Sequence, residues 1–363
     1  IKCRTDPNEK CFMYSMKDSG LGSQLINMFV SEFYLASTEG YTTMLVDNSV
    51  YEGYRRVNGE PVMTGYFTPQ MGVFNYPSSN STNSEQDLID HYLPKGFNLT
   101  EYNHLDVMAR KHTAKKLVKS HAGDVTVASL MMFHGDARRW AKHVLPGGYS
   151  DLYKALIPRM CPNLQFNPAA WADIQALRQQ NYPKLQSWLQ QLQEPVPTTT
   201  EGAATPVSVA FHVRRTDKLL GESALYPAAN YIDQLKLALA SEYRALTDVQ
   251  ICFLATDDLT VSTEFQAALD EAGLPCQLFM TPPSASFPDV SAGDPERRYE
   301  ANAALVFLTE LSVMLETTYL IGTFGSNVDA LAAILRACPG RNQDAKHHYA
   351  NTYAVDRRHW YFR

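Results

Sequence analysis

The clearest pattern lies in the second half of the sequence, where short, mostly apolar runs alternate with stretches that repeat apolar residues every three or four positions. Val207 to Val213, Val249 to Ala255, Cys276 to Met280 and Tyr319 to Gly322 are apolar runs of strand length. Tyr231 to Tyr243, Glu264 to Ala272, Ala304 to Met314 and Asp329 to Ala337 have helical spacing. Strands without a polar face, alternating with amphipathic helices, predict a parallel sheet covered on both sides. Such sheets bind ligands at the carboxyl ends of their strands. The first half is less regular. The pattern predicts a helix from about Gln24 to Ala36, a strand from Thr42 to Val46 and an amphipathic helix over Asn181 to Gln193. Between the halves, the Pro/Thr-rich stretch Glu194 to Gly202 has nothing to give a core and reads as a linker or loop.

Composition sharpens this picture. With 363 residues, 45% of them hydrophobic, the chain can fill two cores, so two domains are expected. A formal charge of -6 argues against a dedicated nucleic-acid binder, and any anionic ligand must be held by a local cluster of positive groups. No apolar run approaches the roughly 18 residues that cross a bilayer. The six cysteines, Cys3, Cys11, Cys161, Cys252, Cys276 and Cys338, form no CxxC pair, which leaves disulfides as the main alternative to free thiols. Two N-glycosylation sequons begin at Asn80 and Asn98 in polar, loop-like stretches. Together with the even cysteine count they point to a secretory compartment.

Four segments carry candidate chemistry. His212-Val213-Arg214-Arg215-Thr216-Asp217-Lys218 leaves an apolar strand at its carboxyl end. Guanidinium there suits bidentate binding of phosphate; a solvated basic loop neutralised by Asp217 is the other reading. Glu222, five residues beyond Asp217, can face the same cleft as a general base. Lys17-Asp18-Ser19-Gly20-Leu21-Gly22-Ser23-Gln24-Leu25 places glycines before a helix, as a phosphate cradle does. It follows no clear strand, and a plain turn fits as well. Thr256-Asp257-Asp258 also follows a strand, and its carboxylates suit sugar hydroxyls, a metal or the cap of the next helix. Ile321-Gly322-Thr323-Phe324-Gly325-Ser326-Asn327-Val328 is a strand-turn-helix whose backbone N–H groups either face an anion or close an ordinary turn.

The order and spacing of these segments resemble the α1,6-fucosyltransferases, the family of eukaryotic N-glycan core fucosyltransferases and the rhizobial nodulation fucosyltransferase. His212 to Lys218, with Glu222 and Tyr231, is similar to the family's first motif, Ala255-Thr256-Asp257-Asp258 to its second, and Thr323 to Val328 to its third. Gly20, Gly22, Gln24 and Leu25, His134-Gly135-Asp136 with Trp140, and Arg298-Tyr299 with Asn302 extend the resemblance over nearly the whole chain.

The resemblance implies a GT-B-like α/β fold: an N-terminal α/β domain on the acceptor side over residues 1–203, and a Rossmann-like GDP-fucose-binding domain over 204–363. It implies inverting transfer of L-fucose from GDP-β-L-fucose to the 6-hydroxyl of a GlcNAc, most simply in the N-glycan core, with neither a cofactor nor a divalent metal. His212 and Glu310 would then contact guanine and Arg214 would hold the diphosphate. Arg215 would shape the pocket, which Gly20, Gly22, Ser326 and Asn327 would line, and Tyr54, with Tyr51 as the alternative, would lie beside the nucleotide. Glu222 becomes the base, assisted by Lys218 and Asp217, with Tyr231, Asp257 and Asp258 in support.

The family's Golgi enzymes also imply a lumenal catalytic region and a single N-terminal anchor preceding Ile1. Their stem and SH3-like domain have no expected counterpart here. Cys3 with Cys11 and Cys252 with Cys276 are the pairs to test. The competing activities are transfer to chitin oligosaccharide or wall polysaccharide, and protein O-fucosylation. A non-catalytic glycan-binding module is the alternative of a different class.

Overall fold

The computed structural model describes residues 11–15, 20–41, 43–47, 60, 62–74, 119–122, 125–128, 140–193, 206–215, 225–281, 303–323, 325–339 and 351–356. The chain divides into two compact α/β units, 1–170 and 171–363, each built on one five-stranded sheet. The boundary read from the sequence at 203, and the stretch 194–202, lie outside the described residues.

In the first unit, β1 (Cys11–Ser15), α1 (Leu21–Glu39) and β2 (Thr43–Asp47) form a parallel βαβ unit. The sheet continues with β3 (Gly72–Phe74) beyond β2, and with β5 (Val125–Ala128) and the antiparallel β4 (Lys119–Ala122) beyond β1. A five-residue helix, α2 (Val62–Tyr66), precedes β3. Helix α1 buries Leu25, Ile26, Met28, Phe29 and Val30, and it ends where Gly40 adopts φ 72° and donates its N–H to the Leu35 carbonyl, a left-handed cap that suits glycine. The helix α3 (Tyr149–Asn163) packs on α1. Its Arg159 lies 3.4 Å from the Glu32 carboxylate and 5.0 Å from the Phe33 ring centre. Burial raises the Glu32 pKa and Arg159 opposes that rise. Trp140 meets Phe33 and Tyr34 edge-on.

Six of these elements, β1, α2, β3, β4, β5 and α3, have no counterpart in the sequence reading. Pro158 and Pro162 stand inside α3, and prolines read from sequence as helix breaks. The presence of β1 means that Gly20-Leu21-Gly22 does follow a strand and opens the first βα turn of the unit.

The second unit takes in most of α4 (Pro168–Asn181), then α5 (Pro183–Gln193), β6 (Val207–Val213), α6 (Ala228–Ser241), β7 (Val249–Thr256), α7 (Val261–Glu271), β8 (Gln277–Met280), α8 (Ala303–Glu316), β9 (Tyr319–Gly322), α9 (Asn327–Arg336) and β10 (Thr352–Ala354). All its strand pairs are parallel, in the order β10-β9-β6-β7-β8. The chain therefore builds outward from β6 through β7 to β8, then returns to the other side of β6 for β9 and β10. The reversal opens a crevice between the carboxyl ends of β6 and β9, the place where sheets of this kind bind ligands.

Every residue of β6 is buried. Val207, Val209, Phe211 and Val213 join a core with Tyr231 and Leu235 of α6 and Phe265 and Leu269 of α7. Ser208, Ala210 and His212 alternate to the other face of the sheet. Helix α8 packs against β6 and β7. Its C-terminus is held twice. Arg178 of α4 makes a bidentate pair with Glu316, at 2.7 and 2.6 Å. Arg336 of α9, 2% exposed, donates to the carbonyls of Met314, Thr317 and Thr318.

The expected disulfide between Cys252 in β7 and Cys276 is present. Cys161 and Cys338 are also disulfide-bonded, and among the described residues no cysteine is free. The expected partner of Cys11, Cys3, lies outside the described residues.

Candidate active site

His212 is the penultimate residue of β6, and strand alternation turns its ring away from the Val209–Phe211–Val213 core. Its Nδ1 lies 2.9 Å from Oδ1 of Asp329, a fully buried carboxylate in the first turn of α9. The other oxygen of Asp329 accepts the Thr323 backbone N–H at 2.9 Å. Asp329 thus joins the β9 side of the crevice to the β6 side. Burial works against the imidazolium, but the Asp329 carboxylate outweighs it and the His212 pKa is raised. The sequence reading passed over Asp329, because an acid in the first turn of a helix has a sufficient local explanation in the helix dipole.

Gly322, the last residue of β9, makes this approach possible. A Cβ there would stand 2.2 Å from Asp329 Oδ1, well inside van der Waals contact. Gly322→Ala is expected to push the carboxylate off His212, costing about 1–3 kcal/mol and lowering affinity for any anion bound at the crevice. Thermal melting and calorimetry check the two effects separately.

The two arginines after β6 part company. Arg215 is committed to the scaffold. Its backbone N–H donates to Asp257 Oδ1 at 2.8 Å, and its guanidinium binds Glu264 Oε2 at 2.6 Å and the Tyr226 carbonyl at 3.3 Å. Glu264 also accepts the Ala228 N–H at the start of α6, and the Arg215 hydrogen bond holds its carboxyl below the ordinary range. Arg214 pairs its Nε with Asp257 Oδ2 at 3.7 Å, with the side chain 23% exposed. Asp257 therefore braces both arginines. Asp258 instead accepts the Thr260 N–H and hydroxyl at 2.9 and 2.6 Å, shaping the turn into α7. Tyr231 is a core ring, packed against Phe265 at 5.5 Å.

In the β9–α9 turn, Ser326 caps α9 by accepting the Val328 N–H. The Gly325 N–H donates to Asp356 at 2.9 Å, just beyond β10. Three N–H groups of this turn, those of Thr323, Gly325 and Val328, thus already have side-chain partners within the chain. Asn327 is the first residue of α9.

Glu310, on α8, completes the group. It accepts a short hydrogen bond from the Thr281 hydroxyl, and Thr281 directly follows β8. The Tyr182 hydroxyl lies 2.5 Å from Thr281 Oγ1. Burial pushes the Glu310 carboxyl up to about 7, opposed by the Thr281 hydrogen bond and by His212. Thr281 and Tyr182, like Asp329, carry no local signal in the sequence.

In the first unit, Gly20 caps α1, and a Cβ on it would meet nothing within 4 Å. Gly22 is buried in the first turn of α1, and Gln24 accepts a hydrogen bond from Tyr14 of β1. Tyr54, Asn80, Asn98, Asp217, Lys218 and Glu222 lie outside the described residues, as do His134 to Asp136, Arg298, Tyr299 and Asn302.

Fold and site together define an α/β protein whose doubly wound unit gathers a histidine, an arginine and several carboxylates at its switch-point crevice. Among the described residues, no group of three or more His, Cys, Asp or Glu is arranged to hold a metal ion, and no helix is long and apolar enough to cross a membrane. No family model and no curated protein matches the sequence. Several solved structures align with the chain at low similarity. The NodZ α1,6-fucosyltransferase soaked with GDP-fucose aligns over 90% of this chain and 93% of its own, at 14% identity and a TM-score of 0.39. Arabidopsis thaliana FUT1 in complex with GDP aligns over 94% and 73%, at 12% identity and 0.42. POFUT1 in complex with GDP-fucose aligns over 96% and 99%, at 11% identity and 0.42.

Proposed function

We propose that the protein is an inverting, metal-independent fucosyltransferase that moves L-fucose from GDP-β-L-fucose to the 6-hydroxyl of a GlcNAc, with the N-glycan core as acceptor and the Golgi lumen as its place of work. The observation that carries this reading is the gathering of His212, Arg214, Asp257, Asp329 and Glu310 at one switch-point crevice, at the end of the strand that runs into the Arg-Arg-Thr-Asp-Lys sequence. The Cys252–Cys276 disulfide is in keeping with an oxidising compartment.

In this reading the acceptor oxygen O6 attacks fucose C1 while the bond from C1 to the β-phosphate oxygen breaks, and the electron pair leaves with GDP. Glu222 takes the proton from O6, with Lys218 and Asp217 beside it. Arg214 stabilises the charge that grows on the departing diphosphate, the role such donors have wherever an oxyanion develops. Gly20, Gly22, Ser326 and Asn327 are the proposed lining of the nucleotide site, with Tyr54 beside it.

The test is incubation with GDP-fucose and three acceptors in the presence of EDTA: a truncated biantennary N-glycan, chitotetraose and a folded EGF-type domain. Transfer to the N-glycan is expected. Transfer only to the protein domain, or complete dependence on added Mn²⁺, would overturn the reading. The arginine pair gives a second check. Arg214→Ala is expected to weaken GDP binding about 10- to 100-fold, the worth of one charge-assisted hydrogen bond. Arg215→Ala is expected to lose about 1–2 kcal/mol of stability, a figure already discounted for the exposure of Glu264. Calorimetry and thermal melting of both variants decide it.

A further inference from the structure

With Glu310 ionised, the hydroxyl contacts at its carboxylate have one direction. Thr281 has one proton, and it is given to the Glu310 carboxylate. Thr281 Oγ1 is therefore the acceptor in its 2.5 Å contact with Tyr182, and Tyr182 is the donor. The Tyr182 ring is held in place from two sides. It sits between α4 and α5, immediately after the turn that Arg178 ties to Glu316, and it meets Phe253 of β7 edge-on at 5.5 Å. Burial raises the Tyr182 pKa, so the phenol keeps the proton it donates.

The chemistry of the carboxyl depends on its proton. Ionised, it accepts two N–H donors and so matches the Watson–Crick edge of guanine, which offers N1–H and N2–H. Protonated, it offers one donor and one acceptor and so matches adenine, which offers an N6–H and the N1 lone pair. A hydroxyl that donates to the carboxylate favours its charged form.

We propose that Tyr182 and Thr281 are positioning residues for nucleobase selection, forming a one-way hydroxyl relay that holds Glu310 ionised and aimed at a guanine edge. The inference rests on the reading of Glu310 and His212 as the pair that contacts the base. Three titratable groups bear on Glu310. His212 of β6 favours its charge and Asp257 after β7 opposes it. Tyr182 faces it across Thr281, and His212 is itself governed by Asp329 and Arg214. With the Glu310 carboxyl at about 7, ionisation rises as pH rises through neutrality. Guanine affinity is then gained between pH 6 and 8, and loss of the Thr281 hydroxyl moves that gain to higher pH.

The experiment is calorimetry of GDP and ADP binding to the full chain at pH 6, 7, 8 and 9, for the wild type, Thr281→Val, Thr281→Ser and Tyr182→Phe. Each variant is compared with wild type at the same pH, so the titrations of the ligand phosphate and of His212 are common to both. Thr281→Val is expected to bind GDP about tenfold more weakly at pH 7, to recover toward wild-type affinity at pH 9, and to discriminate less against ADP. Thr281→Ser should restore the wild-type profile, and Tyr182→Phe should shift it the same way by less. A structural role alone would lower affinity at every pH alike. Should Thr281→Val fail to fold, the Tyr182→Phe profile decides. GDP binding by the wild type with an unshifted profile in the variants would overturn the inference alone. A wild type that binds neither GDP nor GDP-fucose would overturn the proposed function, and the inference with it.

Discussion

Glu222→Gln is expected to lower turnover of GDP-fucose and acceptor by about 10² to 10⁴, the usual contribution of a positioned general base, while GDP affinity stays within about twofold of wild type. Glutamine keeps the shape and hydrogen bonding of the side chain but cannot accept the O6 proton. The loss should appear in kcat and leave donor binding intact, which separates Glu222 from Arg214, whose replacement acts on GDP binding first. Single-turnover transfer and calorimetry on the same preparation make the comparison. Normal turnover in Glu222→Gln would remove it from the mechanism and move the search for a base to Asp217.

Arg336→Met is expected to destabilise the second unit by about 1–3 kcal/mol, the cost of leaving buried acceptors without their donor. The guanidinium reaches the carbonyls of Met314, Thr317 and Thr318 at 2.6, 2.7 and 2.9 Å. These are carbonyls at the end of α8 and in the turn to β9, which have no helical partners of their own. Burial brings the Arg336 pKa down to about 10, still far enough above neutrality to leave it charged, so the carbonyls face a full positive charge. Methionine fills much of the same volume but gives none of the three a donor, and only Met314 keeps another among the bonds described, the Thr317 hydroxyl at 3.2 Å. Arg336→Lys should recover part of the loss, since an ammonium cannot serve three carbonyls with the planar fork of arginine. Denaturant titration of the three proteins reads the effect, and a Met variant as stable as wild type would show that water replaces the guanidinium without cost.

The turn that Arg336 braces leads into β9 and so to Gly322, Thr323 and Asp329. Stability of this corner and geometry of the crevice are therefore linked. An Arg336 variant that still folds is expected to bind GDP more weakly although it stands apart from the crevice residues.

How much of this could be read from residues alone varies by element, for physical reasons. Strands β6 and β9 have the bounds that their β-rich runs predict, because they are buried throughout and the chain turns polar only beyond their ends. Helix α3 has no counterpart in the sequence reading because two prolines stand inside it, and β1 has none although its five residues exceed the four of β9. At the site, His212 and Arg214 were legible because position at the end of a buried strand is itself a functional signal. The split between Arg214 and Arg215 was not. It depends on where Glu264 and Tyr226 stand when α6 and α7 pack against the sheet.

The sequence by itself determined the α/β class, the periodic elements of the second unit and the strand end that carries the basic cluster. These follow from local periodicity and from residue types whose chemistry does not depend on distant neighbours. Only the tertiary structure decided which polar groups share the crevice. Asp329, Thr281 and Tyr182 each look ordinary where they stand in the chain. They meet His212 and Glu310 because the strand order turns back at β6, and that reversal is settled by packing of the whole sheet, with no local signature in the chain.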